Sequence, residues 1–120
     1  MIYQDLGAFV VGDTATGALV SIIQRHAVVE GSATPQPFDM TGSTSVSIEA
    51  ASPERDEITI ACELEGLPVD GQILTEPIAP LFTPPASRRI VHFAGIIQWT
   101  QGGREVIAED GVKFQIERRP

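Results

Sequence analysis

Apolar and polar residues alternate one for one in two well-separated stretches of this chain. In Ser45-Val46-Ser47-Ile48-Glu49-Ala50, the apolar Val46, Ile48 and Ala50 hold one parity and Ser45, Ser47 and Glu49 the other. Val112, Phe114 and Ile116 alternate in the same way with Lys113, Gln115 and Glu117. Successive side chains of an extended strand point to opposite faces, so each stretch has one apolar and one wet face, as a half-buried antiparallel strand requires. No stretch carries an apolar repeat of 3.6 residues, so little or no helix is expected.

Turn-forming residues divide the rest of the chain into short segments. Gly12-Asp13-Thr14-Ala15-Thr16-Gly17 separates Phe9-Val10-Val11 from Ala18-Leu19-Val20-Ser21-Ile22-Ile23, and Pro53-Glu54-Arg55-Asp56 makes a turn after the first alternating stretch. Gly66-Leu67-Pro68-Val69-Asp70-Gly71 makes another, before a short strand at Gln72-Ile73-Leu74-Thr75. Pro35 and Pro37 remove ladder donors and break the chain over residues 30–37. Residues 77–85 hold four of the nine prolines, which bars both a helix interior and a central strand. Ile90 to Trp99 is apolar on both parities, and a bulge at Gly95 would let Val91 and Phe93 face one way while Ile96 is also satisfied. Gly102-Gly103 then reads as a hairpin turn, and the last third as a β-meander through Arg104-Glu105-Val106-Ile107 into Val112–Ile116. Seven to nine short strands in two antiparallel sheets packed face to face are expected, in one domain over residues 1–120. Residues 1–11 form an N-terminal arm or an added strand, and residues 77–89 a proline-rich loop.

A chain of 120 residues can bury roughly two-thirds of its unfolded surface around one core. With 42% hydrophobic and 20% charged residues it falls outside the disordered class. No apolar run approaches the ~20 residues of a membrane helix. Met1-Ile2-Tyr3-Gln4-Asp5 lacks the basic start of a secretory signal. A soluble, unexported protein is expected. The net charge of −8 would repel phosphate backbones, so nucleic acid is not an expected partner; without a membrane-length apolar run a membrane is not expected either, whereas a basic protein surface is an eligible partner.

Residues capable of chemistry are few. Cys62 shares its parity with Ile58, Ile60 and Leu64 and is expected to be a buried, unreactive thiol; a single cysteine makes no intramolecular disulfide or multi-thiolate zinc site. His26 and His92 are far apart and read as strand residues. Glu63, Glu65 and His92 are the only candidates for a small hydrolase, and Ser87 has no elbow motif around it. Glu109-Asp110 and Asp56-Glu57 lack the alternating oxygen ligands of a calcium loop. No catalytic residue, metal or cofactor is expected. Trp99 is read either as a core aromatic or as an exposed anchor.

Several of these features together resemble a known family. They are Gly12-Asp13-Thr14, Pro37-Phe38-Asp39-Met40-Thr41-Gly42 ahead of Ser43-Thr44-Ser45-Val46, and the closing series Trp99, Gly102-Gly103, Glu105, Asp110-Gly111 and Val112–Ile116. The chain is similar over about Gly12–Glu117 to the immunoglobulin-like domains of tailed-phage virion proteins related to the N-terminal domain of the baseplate upper protein. The resemblance implies an immunoglobulin-like β-sandwich and a non-enzymatic role in the virion, as a capsid decoration or cement protein or as a head, neck or baseplate adaptor. It implies other virion proteins as partners and allows for a homo-oligomer within the particle. A small-molecule or carbohydrate-binding module is the alternative.

The chain departs from the family pattern at residues 77–85, which marks a partner-specific surface. Leu81, Phe82, Pro84, Pro85, Arg88 and Arg89 are the expected interface, because a stiff loop loses little entropy on docking and Arg88-Arg89 is a positive pair on an acidic protein. The competing reading has Phe82 folding back to plug one end of the sandwich.

Overall fold

The computed structural model describes residues 2–25, 28–29, 32–33 and 35–119. Twelve strands form among them: β1 (Tyr3–Val10), β2 (Leu19–Ser21), β3 (Ile23–Gln24), β4 (Val28–Val29), β5 (Ser32–Ala33), β6 (Gln36–Pro37), β7 (Thr44–Ala51), β8 (Glu57–Leu64), β9 (Gln72–Thr75), β10 (Ile90–Gln101), β11 (Arg104–Ile107) and β12 (Gly111–Glu117). Eight of them make one connected system in the order β1-β12-β10-β7-β8-β9-β2, with β11 beside β10. The count exceeds the expected seven to nine because four two-residue strands, β3 to β6, form separate short ladders. Pro37 sits in one of them opposite Ile23, so residues 30–37 do not simply end the pairing.

β8 turns this system into a sandwich with barrel-like closure on one side. Its first part, Glu57–Ala61, pairs with β7, and its second part, Cys62–Leu64, pairs with β9. β1 is the added strand, running parallel to β12. The opposite side is stitched by polar bonds: the Ser21 amide donates to Gln4 Oε1 at 3.1 Å, and Arg25 grips Asp110. This all-β arrangement is compatible with an immunoglobulin-like sandwich.

Both alternating stretches lie as their patterns predict. Val46, Ile48 and Ala50 of β7 and Val112, Phe114 and Ile116 of β12 are buried, whereas Ser45, Ser47, Glu49, Lys113, Gln115 and Glu117 are exposed or half-buried. In β10 the buried set is Val91, Phe93, Gly95, Ile97 and Trp99, an unbroken parity that leaves Ile96 on the outer face. The bulge expected at Gly95 is absent. Glycine serves there for space, since a Cβ would stand 2.7 Å from the Glu49 carbonyl oxygen and 3.0 Å from the Ala50 Cβ.

The last third is a variant of the expected meander. Gly102 and Gly103, at φ 60° and 76°, turn β10 into β11 as a hairpin. β12 then pairs with β10 rather than with β11. Twelve residues of β10 are long enough to offer one edge to β11 and then to β12.

Candidate functional site

The proline-framed loop packs onto the core. One 3-10 turn spans Ala79–Leu81, Ile78, Ala79 and Pro84 are buried, and Leu81, Phe82 and Pro85 are half-buried. The Phe82 ring meets Phe93 edge to face at 5.3 Å, and Phe93 stacks on Phe114 at the same separation. Arg88 forks onto Asp56 at 2.8 and 3.3 Å and approaches Glu54 at 3.4 Å. The Arg88 guanidinium, helped by the Ser52 hydroxyl, holds the Asp56 carboxyl below the usual carboxylate range, and Asp56 in turn raises Arg88. Of the six residues expected to form the interface, Arg89 alone is exposed; the other five are buried or half-buried.

Arg89 stands in a patch that no single stretch of sequence displays. The Arg118 amide donates to the Arg89 carbonyl at 2.7 Å, and the Arg118 side chain reaches the Pro84 carbonyl at 3.4 Å. Ile90 opposes Glu117 across the β10–β12 ladder, so the residues just before β10 and just after β12 must meet. Arg89, Ile90, Glu117, Arg118 and Arg119 line a groove of about 380 Å³. Ile90 is 49% exposed, and Arg89, Arg118 and Arg119 form no ion pair among the described residues. Arg88-Arg89 and Arg118-Arg119 stand about thirty residues apart in the sequence. The signal that joins them is positional, because each basic pair abuts the end of a strand and those two strands are neighbours.

The hydrolase candidates do not converge. His92 is exposed opposite Gln115, and Glu63 lies on the part of β8 beyond Ala61. Ala61 faces Ser47, which faces Gln98, six residues along β10 from His92. At ~3.3 Å per residue that offset separates His92 from Glu63 by roughly 20 Å or more. Glu65 lies past the end of β8. His26 is outside the described residues. A shallow groove of about 730 Å³ crosses the outer face between Asp5, Ala51, His92, Ala94, Lys113 and Gln115.

Cys62 keeps its expected parity but is half-buried rather than buried, because it lies past the stretch of β8 that β7 covers. Its thiol is pushed up to about 12 by burial, with the Glu76 carboxylate adding to the effect. Trp99 resolves as core: it is 2% exposed, meets Phe38 edge to face at 5.2 Å, and donates from Nε1 to Gln101 Oε1 at 3.0 Å. The Glu109-Asp110 pair is taken up by Arg25, whose amide donates to Glu109 at 2.6 Å and whose guanidinium holds Asp110 at 2.8 Å. Compared with protein-family models and with curated proteins, the chain matches none.

Proposed function

We propose that this chain is a non-enzymatic structural component of a tailed-phage particle, a capsid decoration or cement protein or a head, neck or baseplate adaptor that works through protein–protein contacts. The resemblance gives the setting, and the observation that carries the contact is the patch of Arg89, Ile90, Arg118 and Arg119. An exposed apolar side chain in a groove lined by three arginines and one carboxylate, Glu117, is a net positive surface on a chain of net charge −8 and is suited to an acidic partner. Repeated copies on a regular particle would add such contacts through multivalency. On this reading the docking surface lies beside the proline-framed loop, whose Pro84 carbonyl accepts from the Arg118 side chain.

Two measurements test this reading. Peptides of the chain should be found in particles purified from the phage or lysogen that carries the gene, and their absence would overturn the virion role. An Arg89→Glu, Arg118→Glu double variant should keep its β circular-dichroism spectrum, because both side chains are exposed, and bind particles lacking the protein about tenfold or more weakly. Undiminished binding by that variant would place the interface elsewhere.

A further inference from the structure

The opposite end of the sandwich carries a loop with the complementary character. Glu65-Gly66-Leu67-Pro68-Val69-Asp70-Gly71 joins β8 to β9, with Leu67 65% and Val69 54% exposed between the carboxylates of Glu65 and Asp70. The loop is held in one shape. Pro68–Asp70 is a 3-10 turn closed by Gly71, and the Met40 amide donates to the Pro68 carbonyl at 3.0 Å. Asp39, next to Met40, adds a third carboxylate. Gln101, the last residue of β10, donates to the carbonyls of Asp39 and Thr41 and fixes these residues at the far end of that strand. The arginine groove lies at the other end of β10, twelve residues or on the order of 40 Å away.

From this complementarity we infer that copies of this chain associate head to tail, the Leu67–Val69 loop of one copy seating in the Arg89, Ile90, Arg118 and Arg119 groove of the next. Each surface has an apolar centre and a charged rim: three arginines against the single carboxylate of Glu117 leave the groove net positive, whereas Glu65, Asp70 and Asp39 make the loop acidic. The loop is already ordered by its own backbone bonds, so docking costs little conformational entropy. The two surfaces differ and lie at opposite ends, so the contact is heterologous and propagates until it closes as a ring or runs on as a filament. The inference rests on the docking role proposed for the arginine groove and names its occupant as a second copy.

The test uses the purified full chain in sedimentation velocity and native mass spectrometry. The wild type should grow beyond a dimer as concentration rises and retreat as salt is added. Leu67→Ser and Arg118→Glu, both at exposed positions, should each weaken association about tenfold or more. Each variant keeps one intact surface, so a mixture of the two should form a 1:1 heterodimer and nothing longer. Val69→Ser and Arg119→Glu repeat the comparison should either first variant fold poorly. A wild type that stays monomeric, a dimer that neither grows nor is restored by mixing, or association indifferent to both substitutions would each overturn the inference. Particle binding lost with Arg118→Glu but kept with Leu67→Ser would also overturn it, while leaving the groove to another virion protein.

Discussion

Gly95 and Gly111 show how much of this fold depends on missing side chains. A Cβ at Gly111 would stand 2.6 Å from the Gly95 carbonyl oxygen and 2.8 Å from the Tyr3 ring, and one at Gly95 would stand 2.7 Å from the Glu49 carbonyl oxygen. Backbone atoms of neighbouring strands cannot yield as a flexible side-chain tip can, so Gly95→Ala forces β10 and β7 apart. The expected loss is about 1–3 kcal/mol of stability, the range for overpacking, read as a lower midpoint in urea unfolding. An unchanged midpoint would show that the sheet shifts freely at this point. Cys62 illustrates the opposite limit of sequence reading. Its parity was legible from Ile58 and Ile60, but its degree of burial depended on which strand covers the far part of β8.

At the scale of elements, the proline-framed loop acts as a cover for the core. Its prolines keep it out of the sheet ladders and confine its helical bonding to the single 3-10 turn, so its stability comes chiefly from what it buries: Ile78, Ala79 and Pro84, with Phe82 against Phe93. Phe82→Ala removes part of that apolar surface and an edge-to-face pair, and should cost about 2 kcal/mol in denaturant unfolding. A variant of unchanged stability that no longer binds particles would instead make Phe82 a docking anchor. β10 carries the other lesson of this scale. Its two parities are equally apolar in sequence from Ile90 to Ile97, so its phase came from its partners, which cover Val91, Phe93, Ile97 and Trp99 and leave His92, Ala94 and Ile96 outward.

At the scale of the molecule, the sandwich is continuous through β8 and stitched on the other side. The stitch of greatest consequence is Arg25, which forks onto a carboxylate, Asp110, that is only 7% exposed. Removing one partner of such a pair leaves the other charge without compensation in a poorly solvated place. Arg25→Met should therefore lower the thermal midpoint, and adding Asp110→Asn should recover part of the loss, a non-additivity measured by a double-mutant cycle. Fully additive losses would mean that the two sides of the seam hold together without this pair.

Local physics made the strands and turns readable from sequence. Alternation in β7 and β12, the glycines between β10 and β11, the Pro53-Glu54-Arg55-Asp56 turn and the proline bar over residues 77–85 each follow from interactions within a few residues. The tertiary structure decided what depends on neighbours distant in sequence: the phase of β10, the sheet change within β8, the inward packing of Trp99 and Phe82, and the placing of Arg89 beside Arg118. The physical reason is the same in each case. A side chain's environment is set by the strand across the ladder and the sheet across the core, and those partners lie tens of residues away along the chain.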